Sequence, residues 1–300
     1  MRKHCVMLWV AGFLIATLVQ AQDFQTCIYF ENDSLSLDLD ILLPDTIGGN
    51  TPLVIYVHGG GFSQGDKGGG YELAKYLSGQ GIACASITYT LYMEGRSFGC
   101  DGILSEKIRA IQIAASQLWH ATSFLIGQSD RFHLDTTRIF IAGSSAGAET
   151  VLHAAYWDRD QMQLFGRALS PGFRYTGVIS GAGAIMDLNL IKPGNMIPTM
   201  LFHGDADPLV PYDVASHHFC PPNSPGWLML FGSHSIAEHM KQLGGSCQLI
   251  TFPGGNHSYA GAYFYQDQQA VGDFIKRVLS GEKFNFYQSI ETVDGDPASK

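Results

Sequence analysis

The chain has 300 residues, 46% hydrophobic and 15% charged, which is enough apolar content to bury a sizeable core. Its formal net charge is −9, and no basic cluster interrupts the acidic balance. That balance argues against nucleic acid or an anionic membrane surface as a partner.

Residues 1–21 read as a signal peptide. Arg2, Lys3 and His4 give a positive start, Cys5 to Val19 is apolar, and Val19-Gln20-Ala21 matches a small-x-Ala cleavage site. The apolar stretch is short for a spanning helix, which needs ~20 residues. An exported protein, periplasmic or secreted, with no stable membrane anchor after cleavage is the expectation. Export permits a disulfide, and the cysteines left after cleavage (Cys27, Cys84, Cys100, Cys220, Cys247) are odd in number. Cys84 sits in an apolar run and reads as a buried free thiol. Connectivity among Cys27, Cys100, Cys220 and Cys247 is open, and none has the C-x-x-C spacing of a zinc ribbon or thioredoxin-like site.

In chain order, Leu35, Leu37, Leu39 and Ile41 alternate with Ser36, Asp38 and Asp40, which predicts one antiparallel strand over 29–43, wetted on one face. A compact apolar strand at 53–57 ends in His58-Gly59-Gly60-Gly61-Phe62. A helix at 71–77 and a strand at 82–89 follow. Leu104, Ile108, Ile111, Ala115 and Leu118 fall at helical spacing and predict a long core-facing helix. Ile139 to Ala142 is again a short apolar strand, and Val151, Leu152 and Ala155 line one stripe of the helix after Ala146. Between them lies Gly143-Ser144-Ser145-Ala146-Gly147, a G-x-S-x-G match whose middle serine is Ser145. Strands at 177–181, 198–204 and 247–252 come next, with a closing helix at 270–279. The Pro-containing stretch 208–246 holds a helix near 235–243. It leaves from the active-site end of the sheet and is expected to form a rim or lid. Residues 22–280 read as a single domain, and 281–300 as a polar, mobile tail.

Strands alternating with helices indicate an α/β domain with a mostly parallel sheet. Ligands bind such sheets outside the carboxyl ends of the strands. His58–Phe62, Ser145, Asp207 and His257 each lie just after a strand, so one shared site is expected.

A serine hydroxyl becomes a nucleophile when a base takes its proton, and the base is held in the right tautomer by a carboxylate. In G-x-S-x-G hydrolases the chain order is Ser, acid, His. Asp205 or Asp207, then His257, meet that order. Gly60 and Gly61 can bring backbone N–H groups close to a developing oxyanion, and Ala146 would add a third at a helix N-terminus. A phosphate-cradling role for the glycines has no Gly-Lys-Ser/Thr or G-x-G-x-x-G to support it. His203 reads as structural. His217, His218 and Cys220 are metal-ligand types without the fourth partner of a tetrahedral site, so no metal or cofactor is expected. Phe62 suits either the core or the edge of an acyl pocket.

These motifs resemble α/β-hydrolases of the carboxylesterase and hormone-sensitive-lipase-like kind, and are similar to exported bacterial carbohydrate esterases. The resemblance covers roughly residues 35–280. It rests on His-Gly-Gly-Gly-Phe at 58–62, the elbow at 143–147, His-Gly-x-x-Asp-x-x-Val-Pro at 203–211 and Gly-x-x-His at 254–257. It implies the α/β-hydrolase fold, a mostly parallel twisted sheet with helices on both faces and an insertion after the acid strand. It also puts the acid at Asp207 and makes His58 a loop-organising residue. The implied activity is hydrolysis of short acyl or aryl esters through an acyl-enzyme, on small-molecule or oligosaccharide substrates that include acetyl or feruloyl polysaccharide esters. A serine peptidase of the prolyl-oligopeptidase kind shares the elbow, but usually carries a propeller for which this chain has no room. A catalytically silent binding module on the same fold would not need the intact Ser, Asp, His and glycine set.

Overall fold

The computed structural model describes residues 23–45 and 50–290; the leader expected at 1–21 lies outside them. The first element corrects the single strand expected over 29–43. β1 (Gln25–Asn32) and β2 (Leu35–Leu42) form an antiparallel hairpin. Its turn forms because Asn32 accepts the Ser34 N–H at 3.0 Å, a local bond that competes with continued strand.

Alternation of strand and helix follows as expected. β3 (Thr51–Val57) leads to α1 (Tyr71–Gly79) and β4 (Ala83–Ile87). The long α2 (Leu104–Gly127) and short α3 (Ser129–Phe132) precede β5 (Leu134–Ser144), α4 (Ala146–Tyr156) and α5 (Arg159–Met162). β6 (Gly177–Gly181), β7 (Ala184–Ile185) and β8 (Thr199–Gly204) come next, then β9 (Val214–Ser216), β10 (Met229–Gly232) and α6 (Ser233–Gln242). β11 (Cys247–Phe252), α7 (Ala262–Tyr265), α8 (Gln269–Leu279) and β12 (Asn285–Ser289) close the chain.

The main sheet has nine strands in the order β1-β2-β4-β3-β5-β6-β8-β11-β12. It is parallel from β4 to β12 and antiparallel only where β2 meets β1 and β4. Strands of this kind are buried on both faces, and β3 shows the consequence of a two-residue repeat. Leu53, Ile55 and Val57 pack into one core with Ile111 and Leu118 of α2 and Leu152 of α4. Val54 and Tyr56 pack into the other with Leu77 of α1 and Phe274 of α8. Each such fully buried side chain stabilises the fold by about 1.5–3 kcal/mol.

The mobile tail expected at 281–300 is corrected in part. Residues 285–289 are β12, paired in parallel with β11. An uncovered β11 would present a row of unpaired backbone groups, and β12 supplies their partners. Phe284 and Phe286 anchor it beneath the Arg277 guanidinium. Residues 291–300 lie outside the described residues.

The 208–246 insertion contributes β9 and β10, which join β7 in a small second sheet, and α6. A disulfide between Cys100 and Cys220, Cα atoms 5.2 Å apart, ties this insertion to the loop before α2. Cys27, Cys84 and Cys247 are buried and free. Burial pushes the Cys247 thiol up to about 12 and Cys84 higher still, so neither is a reactive thiolate.

Candidate active site

Ser145 occupies the turn between β5 and α4 with φ 53° and ψ −121°, a conformation that costs a non-glycine residue ~1–3 kcal/mol. Its N–H donates to the Gly181 carbonyl at 2.8 Å, which ties the turn to the end of β6. The flanking glycines are required by contact rather than by φ. A Cβ on Gly147 would lie 2.0 Å from the Val57 carbonyl oxygen, and one on Gly143 would lie 2.4 Å from the Gly147 carbonyl. Any side chain there would force strand and helix apart.

From this turn the Ser145 hydroxyl reaches His257 Nε2 at 2.8 Å. His257 opens a short helical turn after β11, and its Nδ1 lies 2.6 Å from Asp207 Oδ2. A ring nitrogen facing a carboxylate carries the proton, so Nε2 is left as the acceptor for the serine hydroxyl. Asp207 is held from every side. Its Oδ1 accepts the N–H groups of Leu209 at 2.8 Å and Val210 at 3.1 Å. Its Oδ2 is 3.2 Å from His203 Nε2. That nitrogen also lies 3.2 Å from the Val210 carbonyl, and between two acceptors it must be the protonated one. Burial raises the Asp207 carboxyl, but hydrogen bonds from His203 and His257 outweigh it and hold the group well below the usual carboxylate range.

Of the two candidate acids, only Asp207 is bonded to His257. Asp205 accepts the Gly254 N–H at 2.6 Å and so fastens the loop that carries the histidine. Ser144 is likewise occupied elsewhere, with its hydroxyl 3.1 Å from Tyr56 OH and 3.3 Å from Tyr265 OH.

Gly60, Gly61 and Ala146 border the same cleft as Ser145 and His257. Their N–H groups find no acceptor among the described residues. Gly60 and Gly61 have φ of 109° and 61°, which glycine adopts freely, and the Ser63 and Gln64 N–H groups close the turn onto the Gly60 carbonyl. His58 organises this loop. It is buried, its Nδ1 lies 2.7 Å from the Gly59 carbonyl, and its ring stacks on Tyr89. Burial lowers its pKa, so the ring is neutral. Phe62 is wholly buried against Phe98 and Tyr89, which makes it core.

The cleft has a volume of about 800 Å³. The insertion supplies part of its wall through Leu209, Val210, His217 and His218, the rim expected of it. Cys220 is in the disulfide, and among the described residues no group of three His, Cys, Asp or Glu side chains is placed to hold a metal. Sequence reasoning missed Glu149, which borders the cleft beside His217. The available signal was a single carboxylate in an otherwise small and apolar helix start, Ala146 to Leu152.

Comparison with known proteins agrees with this architecture. A probable isoprenylcysteine alpha-carbonyl methylesterase, ICMEL2, of Arabidopsis thaliana is 24% identical over 217 residues, covering 59% of this chain and 48% of that protein. The chain thus spans about half the length of the curated relative it matches. The apo form of Thermogutta terrifontis esterase 2 superposes with a TM-score of 0.63 at 15% identity, over 87% of this chain and 96% of that one. The same esterase phosphorylated by paraoxon gives 0.62 at 16%, over 87% and 95%. At these identities the likeness speaks for the fold alone. The profile of the BD-FAE family matches residues 39–193, just over half of the chain, and that stretch holds both the glycine loop and the serine turn. The chain belongs to the BD-FAE family, an esterase family of the α/β-hydrolase fold.

Proposed function

We propose that this protein is an exported serine carboxylesterase that cleaves short acyl or aryl esters, with acetyl or feruloyl groups on polysaccharide within its range. Ser145 is the nucleophile, His257 the general base and acid, and Asp207 the residue that orients the histidine and stabilises its imidazolium. The observation that carries the reading is the unbroken hydrogen-bond chain Ser145–His257–Asp207, at 2.8 and 2.6 Å, opening into the cleft.

In the first step His257 Nε2 takes the Ser145 proton as Oγ bonds to the ester carbonyl carbon. The negative charge that develops on the carbonyl oxygen is met by the N–H groups of Gly60, Gly61 and Ala146, donors of a kind worth about 2.7–4 kcal/mol each. Asp207 stabilises the imidazolium. His257 then protonates the leaving alcohol, and an acyl group remains on Ser145. Water activated by the same nitrogen releases the acid and restores the serine. The paraoxon-phosphorylated relative suggests a direct probe, since an organophosphate should attach to Ser145 here as well.

Hydrolysis of p-nitrophenyl acetate by the wild type and its loss in Ser145→Ala is the test; full activity in that variant would overturn the assignment. Acetylated and feruloylated oligosaccharides, supplied as a panel, test the polysaccharide range. Export is tested separately, by mass spectrometry of the protein recovered outside the cytoplasm. The mature chain should begin at Gln22, and a retained Met1 would count against the leader.

A further inference from the structure

Glu149 follows Ser145 by one turn of α4, its N–H donating to the Ser145 carbonyl at 2.9 Å. It borders the cleft and is only 1% exposed. Neither carboxylate oxygen accepts a hydrogen bond from the described residues, and Oε1 is fully enclosed without a partner. His217 Nε2 approaches Oε1 to 3.2 Å, within ion-pair range but off the direction of a hydrogen bond. The His217 Nδ1 is itself enclosed and unpartnered. Lys107, also wholly buried, turns its ammonium to the Gly226 carbonyl at 2.6 Å rather than to Glu149. His218, packed on His217, brings no counter-charge. Burial, with His217 and Lys107 nearby, pushes it down to about 4.

Buried polar groups in folded proteins nearly always have partners, and a carboxylate left bare in a low dielectric is especially costly. Two such groups side by side on the wall of a cleft therefore point to donors and acceptors that arrive with a ligand. A carboxylate only accepts, so the incoming group must donate, and an anionic group is excluded. An apolar acyl chain would leave both residues unmet. A hydroxyl meets both residues at the atoms that are not enclosed, donating to Glu149 Oε2 while exchanging its second bond with His217 Nε2.

We infer that Glu149 and His217 form a polar subsite of the cleft that takes a hydroxyl group of the ester substrate, and so determine specificity. The inference rests on the esterase reading and narrows its substrate class. The hydroxyl can belong to the acyl part, as in a hydroxy acid, or to the alcohol part, as in a polyol. Both use the same chemistry. A site built to hydrogen-bond a substrate hydroxyl discriminates against the analogue lacking it, because its own polar groups are then stranded.

Matched esters separate the two sources. One arm compares p-nitrophenyl butyrate with p-nitrophenyl 3-hydroxybutyrate, and the other compares propyl acetate with glyceryl monoacetate. In at least one arm the wild type should favour the hydroxylated ester in kcat/KM by about tenfold or more. Glu149→Met should bring that ratio close to one. If this variant does not fold, His217→Asn reads the same ratio. Equal kcat/KM in both arms for the wild type, or a preference that survives both substitutions, overturns the subsite and leaves the esterase reading standing. Failure to hydrolyse any of the four esters overturns the esterase reading, and this inference with it.

Discussion

Asp207 and Glu149 are both buried carboxylates, 3% and 1% exposed, and both stand close to Ser145. Asp207 is linked to it through His257, and Glu149 follows it along α4. Their surroundings are opposite. Asp207 is engaged by Leu209, Val210, His203 and His257, whereas Glu149 accepts no hydrogen bond from the described residues and has only His217 within ion-pair range. The cause is local. Asp207 precedes a turn whose next N–H groups are unused and within reach of its short side chain. Glu149 lies in the first turn of α4, but its side chain does not reach back to that turn's free N–H groups and faces the cleft wall and His217 instead. A fully bonded carboxylate is a fixed charge suited to holding a histidine. An unbonded one suits a group that comes and goes.

The strongest way to break this contrast is Asp207→Asn. The amide places an N–H where His257 Nδ1 needs an acceptor, so the ring turns to the wrong tautomer. Turnover of p-nitrophenyl acetate should fall by about 10⁴-fold, the size seen when a triad acid is replaced by its amide. A loss below about tenfold would mean that the charge on Asp207 is not used.

The wall beside Glu149 depends on the Cys100–Cys220 disulfide, which pins the segment carrying His217 and His218 to the loop before α2. Removing it with Cys100→Ser and Cys220→Ser together should lower the unfolding free energy by about 2–4 kcal/mol, read by guanidinium denaturation. An unchanged midpoint would show that the wall stands on its packing alone.

Acid stability tests the Asp207 side in another way. Its native pKa lies below the unfolded value of about 3.9, so its ionised form contributes stability that is complete above that value. The contribution is lost as pH falls from there through the native value. Wild type should therefore weaken more steeply than Asp207→Asn in urea unfolding below about pH 4. Parallel pH profiles would place the acid-labile groups elsewhere.

Much of this contrast is legible in the sequence on one side only. The strands, the serine turn, Asp207 and His257 each depend on a few consecutive residues: a short apolar run, then a glycine-bearing turn at its carboxyl end. The Glu149–His217 pair depends on how the insertion folds back over α4, with the disulfide pairing that secures it, and no local pattern encodes that path. The β1–β2 turn was missed because the alternation of Leu35 to Ile41 masked the Asn32 side chain's bond to its own backbone. β12 was missed because its polar residues hid a strand whose stability comes from the open edge of β11. Asp205, the other candidate acid by chain order, instead secures the distant turn at Gly254, a contact that no local pattern encodes.

That contact sets the next expected effect. Asp205→Asn keeps an acceptor for the Gly254 N–H and does not touch His257, so kcat should fall by less than about tenfold. Equal losses in Asp205→Asn and Asp207→Asn would dissolve the distinction between the two acids.

The smallest effect concerns stability at Glu149. Replacing a buried carboxylate that accepts no hydrogen bond from the described residues by an apolar side chain of similar volume removes a desolvation cost that outweighs the lost attraction to His217 and Lys107. Lys107 retains its carbonyl partner at Gly226 in the variant. Glu149→Met should therefore raise the thermal midpoint, by about 2 °C for a gain of about 1 kcal/mol in a domain of this size. His203→Ala, which strips a donor from Asp207, should lower it. A fall in both would make Glu149 a structural counter-ion for Lys107, and a rise in Glu149→Met alone would mark a residue kept for ligand binding at the expense of stability.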